Sequence, residues 1–227
     1  MTRAPSTLVI DVGGTHVKLL ATGKRTPIKI DSGPSMTPRE MVKAIHDVAR
    51  DWRYDRVSIG YPGPVRNGQP FAEPWNLGRG WVRFDFERAL GVPVRIVNDA
   101  AMQALGSYAG KKMLFLGLGT GLGSAMIREG VLIPLELAHL PYRHGKSYEE
   151  YLGNAGMNRL GKHDWRKHLA HVVELFIAAL EVDYVVLGGG NSRLLHKLPP
   201  HTRLGSNANA FKGGFRLWEL SGARSSR

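Results

Sequence analysis

Apolar positions along this chain change their period several times, and each change predicts an element. STLVIDVGGTHVKLLATG, residues 6–23, reads as two strands of β-branched and apolar residues joined at Gly13–Gly14. Between Pro38 and Arg53, PREMVKAIHDVARDWR places apolar residues at 41, 42, 45, 48, 49 and 52, one helix face after a proline start. RVSIGYPGPV (56–65) is a short strand ending in a proline–glycine turn, and FDFERALG (84–91) is a short helix closed by glycine. VPVRIVNDAAMQALGSYAG gives a strand, then Asn98–Asp99 as a natural N-cap, then a helix ending near Gly106. Residues 146–181 are mainly helical in pattern, and DYVVLGGGN (183–191) is a buried strand running into glycines. A closing helix is expected over 207–220 despite Gly213–Gly214, and Arg224 to Arg227 read as a frayed tail.

One pattern occurs twice. LVIDVGGTHVKLLAT, from Leu8, aligns with LFLGLGTGLGSAMIR, from Leu114, at an offset of 106 residues. Each copy is an apolar strand, a glycine–threonine turn and a second strand. Two unrelated glycine-rich hairpins would align in the same way by chance, whereas a duplicated unit predicts two related lobes. The lobes expected are 1–99, joined by the closing helix 207–220, and 100–206.

The glycines narrow the chemistry. GLGTGLG (117–123) follows G-x-G-x-G-x-G and leads into a strand, so it is not the dinucleotide fingerprint that opens a helix. GMNRLGKH (156–163) imitates a Walker A loop but has His163 where Ser or Thr would meet magnesium, and it follows a helical stretch. What remains are DVGGT (11–15), GLGTGLG and LGGGN (187–191), three glycine turns after apolar strands. Their N–H groups, with no Cβ in the way, are suited to cradling an anion. Asp11 is either a turn cap or a magnesium carboxylate acting through water. Gly188–Gly190 serve equally as a plain strand exit or as a nucleotide contact. Asp99 sits where a carboxylate can take a hydroxyl proton, a role compatible with capping the helix. Glu136 and His139 in LELAH have the acceptor and donor groups that grip sugar hydroxyls, although surface or core contacts would satisfy such a pair as well.

Composition changes this picture in two places. Cysteine is absent, which excludes disulfides and thiolate metal sites. With no leader-like start and no apolar run of membrane-spanning length, a soluble cytoplasmic protein is expected. Thirty-one Lys and Arg against 19 Asp and Glu give a net charge of +12 over 227 residues. That excess attracts polyanions. No RNA-binding aromatic motif or zinc-finger spacing accompanies it, so nucleic acid is not the favoured partner.

Taken in order, IDVGGTHVK, IGYPGPV, WNLGRGW, IVNDAAMQALGSY, LGLGTGLGSAMIREGVLIPLELAH, YVVLGGGNSRL and NANAFKGGF resemble the ROK family of sugar kinases, and most closely its polyphosphate glucokinase branch. The resemblance covers nearly the whole chain. It implies an α/β, actin-like (ribonuclease H-like) fold of two lobes around a cleft, each a mixed sheet flanked by helices, and a homodimer. It implies Asp99 as the base toward a hexose 6-hydroxyl and Asp11 as the magnesium carboxylate. Gly13, Gly14, Thr15, Lys18, Gly119, Thr120, Gly121, Gly189 and Gly190 would line the path of the phosphates. Asn76, Asn98, Asp99, Glu136, His139 and Glu149 would hold the sugar. The implied donor is ATP or polyphosphate with Mg2+, and zinc is not expected.

Two departures accompany the resemblance: Ala138 stands where the family's Glu-x-Gly-His motif has glycine, and the chain is trimmed after Glu149 and in its last third. The other classes considered are a repressor and a non-catalytic sensor. The first needs a DNA-binding segment ahead of a strand that starts by about Thr7, and the second has no use for both Asp11 and Asp99.

Overall fold

The two-strand pattern of residues 6–23 forms a hairpin in the computed structural model, which describes residues 4–206 and 208–219. β1 (Thr7–Val12) and β2 (His16–Ala21) pair antiparallel, with Asp11 opposite Lys18. β3 (Ile28–Asp31) continues the meander. α1 (Pro38–Val48) begins in a capping box formed by Thr37 and Glu40. It stops five residues short of the span expected from its apolar face. Ala49 leaves the helical region, Trp52 N–H bonds to the Ala49 carbonyl at 2.8 Å, and the chain turns back toward the sheet.

β4 (Arg56–Tyr61) then pairs parallel to β1. A small ribbon, β5 (Val65–Arg66) with β6 (Gln69–Pro70), and the short helix α2 (Phe86–Leu90) lead to β7 (Val94–Asn98), parallel to β4. α3 (Asp99–Ser107) leaves directly from β7. The sheet order is β3-β2-β1-β4-β7. Leu8, Ile10, Leu19, Ile45, Ile59 and Trp81 are buried together in its core. Truncating Ile59 to alanine there would cost about 2–5 kcal/mol.

The second half repeats this plan. β8 (Met113–Leu118), β9 (Leu122–Arg128) and β10 (Val131–Leu135) form a meander, followed by a 3₁₀ turn at Leu137–His139. The ribbon β11 (Pro141–Arg143) and β12 (Lys146–Ser147) precedes α4 (Tyr148–Leu152) and the long α5 (Asn154–Leu180). α5 is broken at Gly161, whose φ of +75° favours glycine. β13 (Tyr184–Gly188), a 3₁₀ turn at Gly190–Leu194 and β14 (Thr202–Leu204) complete a sheet of order β10-β9-β8-β13-β14. Its core gathers Leu116, Leu152, Trp165, Leu169, Val173 and Leu187.

Residues up to Met102 with those from Ala210 onward form one compact unit, and Gln103–Asn209 form another. The last helix, α6 (Asn209–Arg216), lies almost wholly in the first unit. Gly214 has a packing reason, because a Cβ there would run into the Val9 side chain. Ser58 Oγ–H donates to the Gly214 carbonyl at 2.6 Å and accepts from Trp218 Nε1 at 2.9 Å, which fastens the helix to β4. The tail read at Arg224–Arg227 lies outside the described residues. Among those described, no helix is long and apolar enough to cross a membrane.

Candidate active site

In the first unit the parallel strands β1, β4 and β7 end at one edge, the edge where α/β sheets commonly bind ligands. Their register puts Asp11 beside Gly60, Gly60 beside Val97, and Tyr61 beside Asn98. Asp11 and the start of α3 are thus separated by two strand spacings, roughly 10 Å. The Asp11 carboxylate accepts from Lys18 Nζ at 3.2 Å, and its side chain is 15% exposed. Gly13 N–H bonds to the His16 carbonyl at 3.0 Å, closing the turn, and Ser32 Oγ–H donates to the Gly13 carbonyl at 2.6 Å. Thr15 is exposed at the tip, where its carbonyl accepts from Ser32 N–H at 2.9 Å.

Gly14 is where the loop carrying Asn76 closes on the turn: a Cβ there would lie 2.8 Å from the Asn76 Cβ. That loop is held by Glu73, whose carboxylate accepts from the backbone N–H groups of Trp81 at 3.1 Å and Val82 at 3.3 Å. Trp75, next to Asn76, is 98% exposed. The Asn98 amide turns inward, donating to the Gly63 carbonyl at 3.0 Å and accepting from Ala100 N–H at 2.9 Å. Asp99 opens α3, half-buried, with Oδ1 accepting from Ala100 N–H at 2.7 Å.

In the second unit, β8 and β13 are parallel with Gly117 beside Gly188, so the Gly119–Gly121 turn and the Gly189–Gly190 exit share an edge. Asn154 N–H bonds to the carbonyls of Gly119 at 3.0 Å and Thr120 at 3.2 Å. Asn191 Nδ2–H reaches the Gly119 carbonyl at 3.4 Å and Asn154 Oδ1 at 2.7 Å. The glycines differ in what occupies the place of the missing side chain. Gly119 and Gly190 face open space. Gly121 is filled by the Glu149 carboxylate, which also accepts from Leu122 N–H at 3.1 Å. Gly189, at φ +79°, presses against the backbone of Leu118.

Glu136 precedes and His139 ends the 3₁₀ turn after β10. Ser124 fixes its entry, its hydroxyl donating to the Leu135 carbonyl at 2.9 Å and accepting from Leu137 N–H at 3.1 Å. Burial pushes the Glu136 carboxyl above the ordinary glutamate value of 4.5; His139 opposes the rise and Glu149 adds to it. Of the predicted sugar-motif residues of this unit, His139 and Glu149 are thus both near enough to act on Glu136. The Ala138 methyl is buried in the core and packs there.

A metal of the magnesium type is held through one or two carboxylates, with waters and substrate phosphates completing the shell. Among the described residues no group of three or more His, Cys, Asp and Glu comes together. Asp11 at the mouth of a glycine turn fits such an open, phosphate-completed site, with the Lys18 ammonium as a second positive group beside it.

Sequence reasoning did not single out Glu73, Ser124, Asn154 or Asn191. Asn154 and Asn191 lie within the stretches SYEEYLGNAG and LGGGN, but nothing in either signals that they bind the same turn.

The ROK family model matches residues 7–134. Polyphosphate glucokinase from Mycobacterium tuberculosis is 33% identical over 217 residues, covering 84% of this chain and 80% of that protein. The inorganic polyphosphate/ATP-glucomannokinase from Arthrobacter sp. strain KM is structurally similar, with a TM-score of 0.73, 25% identity and coverage of 93% of this chain and 97% of that one. A ROK family glucokinase from Streptomyces griseus, solved with glucose and AMPPNP, shares the fold at a TM-score of 0.70 and 17% identity, covering 93% and 98%.

Proposed function

We propose the chemistry of a chain that belongs to the ROK family and is a sugar kinase, a phosphotransferase of the hexokinase type. Its acceptor is the 6-hydroxyl of glucose or a close relative, and its donor is polyphosphate or ATP. Asp99 accepts the hydroxyl proton as the oxygen attacks the terminal phosphorus of the donor. The bond from that phosphorus to the bridging oxygen breaks, leaving hexose 6-phosphate and a donor shorter by one phosphoryl group. The observation that carries this reading is the shared edge of β1, β4 and β7, which sets Asp99 two strands away from the Asp11–Gly14 turn.

Each residue has a proposed part. Asn76 and the loop held by Glu73 orient the sugar, while Asn98, its amide engaged internally, holds Asp99 in place. Glu136, His139 and Glu149 supply acceptors and a donor for sugar hydroxyls. Gly13, Gly14, Thr15, Gly119, Thr120, Gly121 and Gly190 shape the turns that the phosphates approach, Gly119 and Gly190 with open space where a side chain would stand, and Lys18 adds positive charge. For Gly189, packing against Leu118 already explains the missing side chain. Asp11 would hold Mg2+ through water, and the ion would neutralise charge on the phosphate oxygens. Positioning and charge neutralisation do most of the work in such a transfer. A homodimer completes the reading, and sedimentation equilibrium tests it.

The deciding assay offers the purified protein a panel of hexoses with magnesium and either ATP or polyphosphate. Phosphorylation of glucose by at least one donor is expected. No phosphorylated sugar from any pairing would overturn the reading.

A further inference from the structure

The second unit contains a cavity of about 460 Å³ whose lining includes no residue of the Gly119–Gly121 turn or the Gly189–Gly190 exit. Its floor is apolar, with Leu169 and Leu195 buried and Leu198 and Pro199 beside them. Its rim is basic: His163, Arg166 and Lys167 come from α5 beyond the Gly161 break, and His196 and Lys197 follow the Gly190–Leu194 turn. Among the described residues none of the lining side chains is acidic. Asp164 pairs with Lys167 at 3.0 Å, but both side chains are exposed and water screens the contact.

Arg166 fixes the cavity to the rest of the unit. Its Nε and Nη2 both donate to the Leu194 carbonyl, at 3.1 and 2.7 Å. At the other end of the same 3₁₀ turn, Asn191 holds the Gly119 carbonyl and Asn154. One five-residue turn, spanning about 10 Å at its usual rise, therefore links the phosphate-side glycines to the basic rim.

We propose that this cavity seats the distal units of a polyphosphate chain whose terminal phosphoryl group lies at the Gly119–Gly121 turn. The inference rests on the donor reading above. A nucleoside triphosphate concentrates its charge at the phosphate turn and ends in an uncharged base. Polyphosphate carries charge on every unit, so it alone brings negative charge to a rim that far away.

The test is the double variant Lys167→Gln/Lys197→Gln, both positions being exposed. Two quantities are measured: binding of fluorescently labelled long-chain polyphosphate without sugar, and KM for long-chain polyphosphate, tripolyphosphate and ATP. Long-chain binding should weaken about tenfold with a shallower salt dependence, while KM for ATP and tripolyphosphate stays put. Unchanged long-chain binding would overturn the proposal. So would a raised KM for ATP with polyphosphate unaffected, which would assign the cavity to the nucleotide base. A wild-type protein that transfers from no donor, yet whose variant loses long-chain binding, supports the cavity and removes the kinase reading. One that uses ATP but neither binds nor uses polyphosphate removes the cavity proposal and keeps the kinase.

Discussion

The turns after β1 and after β8 follow strands of the same length and pairing, yet their glycines answer to different demands. In the first unit Gly13 and Gly14 are filled by the unit's own atoms, the His16 carbonyl and the Asn76 side chain. In the second, Gly119 and Gly190 face nothing, and Gly121 is filled by a carboxylate brought in from α4. A glycine that the fold itself explains says little about ligands, whereas a glycine facing open space needs another reason. The units differ also at the ends of their third parallel strands. β7 delivers Asp99, while β14 runs into Gly205 and Ser206. The repeated plan thus carries two glycine turns after matching strands but a carboxylate at the end of only one third strand.

The largest effect expected is on that asymmetry. Asp99→Asn should lower kcat by about 10²–10⁴-fold while isothermal titration still detects sugar binding. Turnover near that of the wild type would remove Asp99 from its role. Next comes the glycine whose place is already full. Gly189→Ala forces a side chain onto the Leu118 backbone at positive φ, and should lose about 1–3 kcal/mol or more, read as a lower Tm in calorimetry.

Gly119→Ala should do the reverse. With nothing within 4 Å of the added methyl, Tm should hold while KM for the donor rises about tenfold, the cost of keeping phosphate at a distance. An unchanged KM would make Gly119 a turn glycine like the others. The smallest effect concerns Glu136. Because its folded-state carboxyl titrates above 4.5, the folded chain binds an extra proton just above that pH. This group's contribution therefore opposes folding at neutral pH and fades as pH falls through the raised value. Sugar affinity should move the other way, weakening a few-fold as the carboxylate protonates, and Glu136→Gln should flatten that profile.

Much of the fold was legible because its signals are local. The alternation in LVIDVGG and the helical spacing of residues 38–48 each follow from a single element, and the echo from Leu8 to Leu114 predicted a repeat that the two sheet orders display. The span of α1 was overestimated because Trp52 still points into the core after the backbone has left the helix. β5, β6 and β14 are two or three residues long, too short to carry a period.

The candidate site was legible as a set of residues and not as an arrangement. Chemistry-bearing types at turn and cap positions, Asp11, Asp99, Glu136 and His139, stand out from sequence because local geometry favours them there. Which glycine faces a neighbour and which faces space depends on atoms far along the chain, as with Glu149 on Gly121 or Asn76 on Gly14. The same holds for the basic rim, whose residues from 163 to 197 become neighbours only when α5 and the segment after β13 pack together. Period, propensity and turn chemistry act over a few residues, so the sequence by itself determined the longer strands, the main helices and the repeated turn. Close packing acts over any separation, so only the tertiary structure decided which backbone groups remain accessible to a ligand.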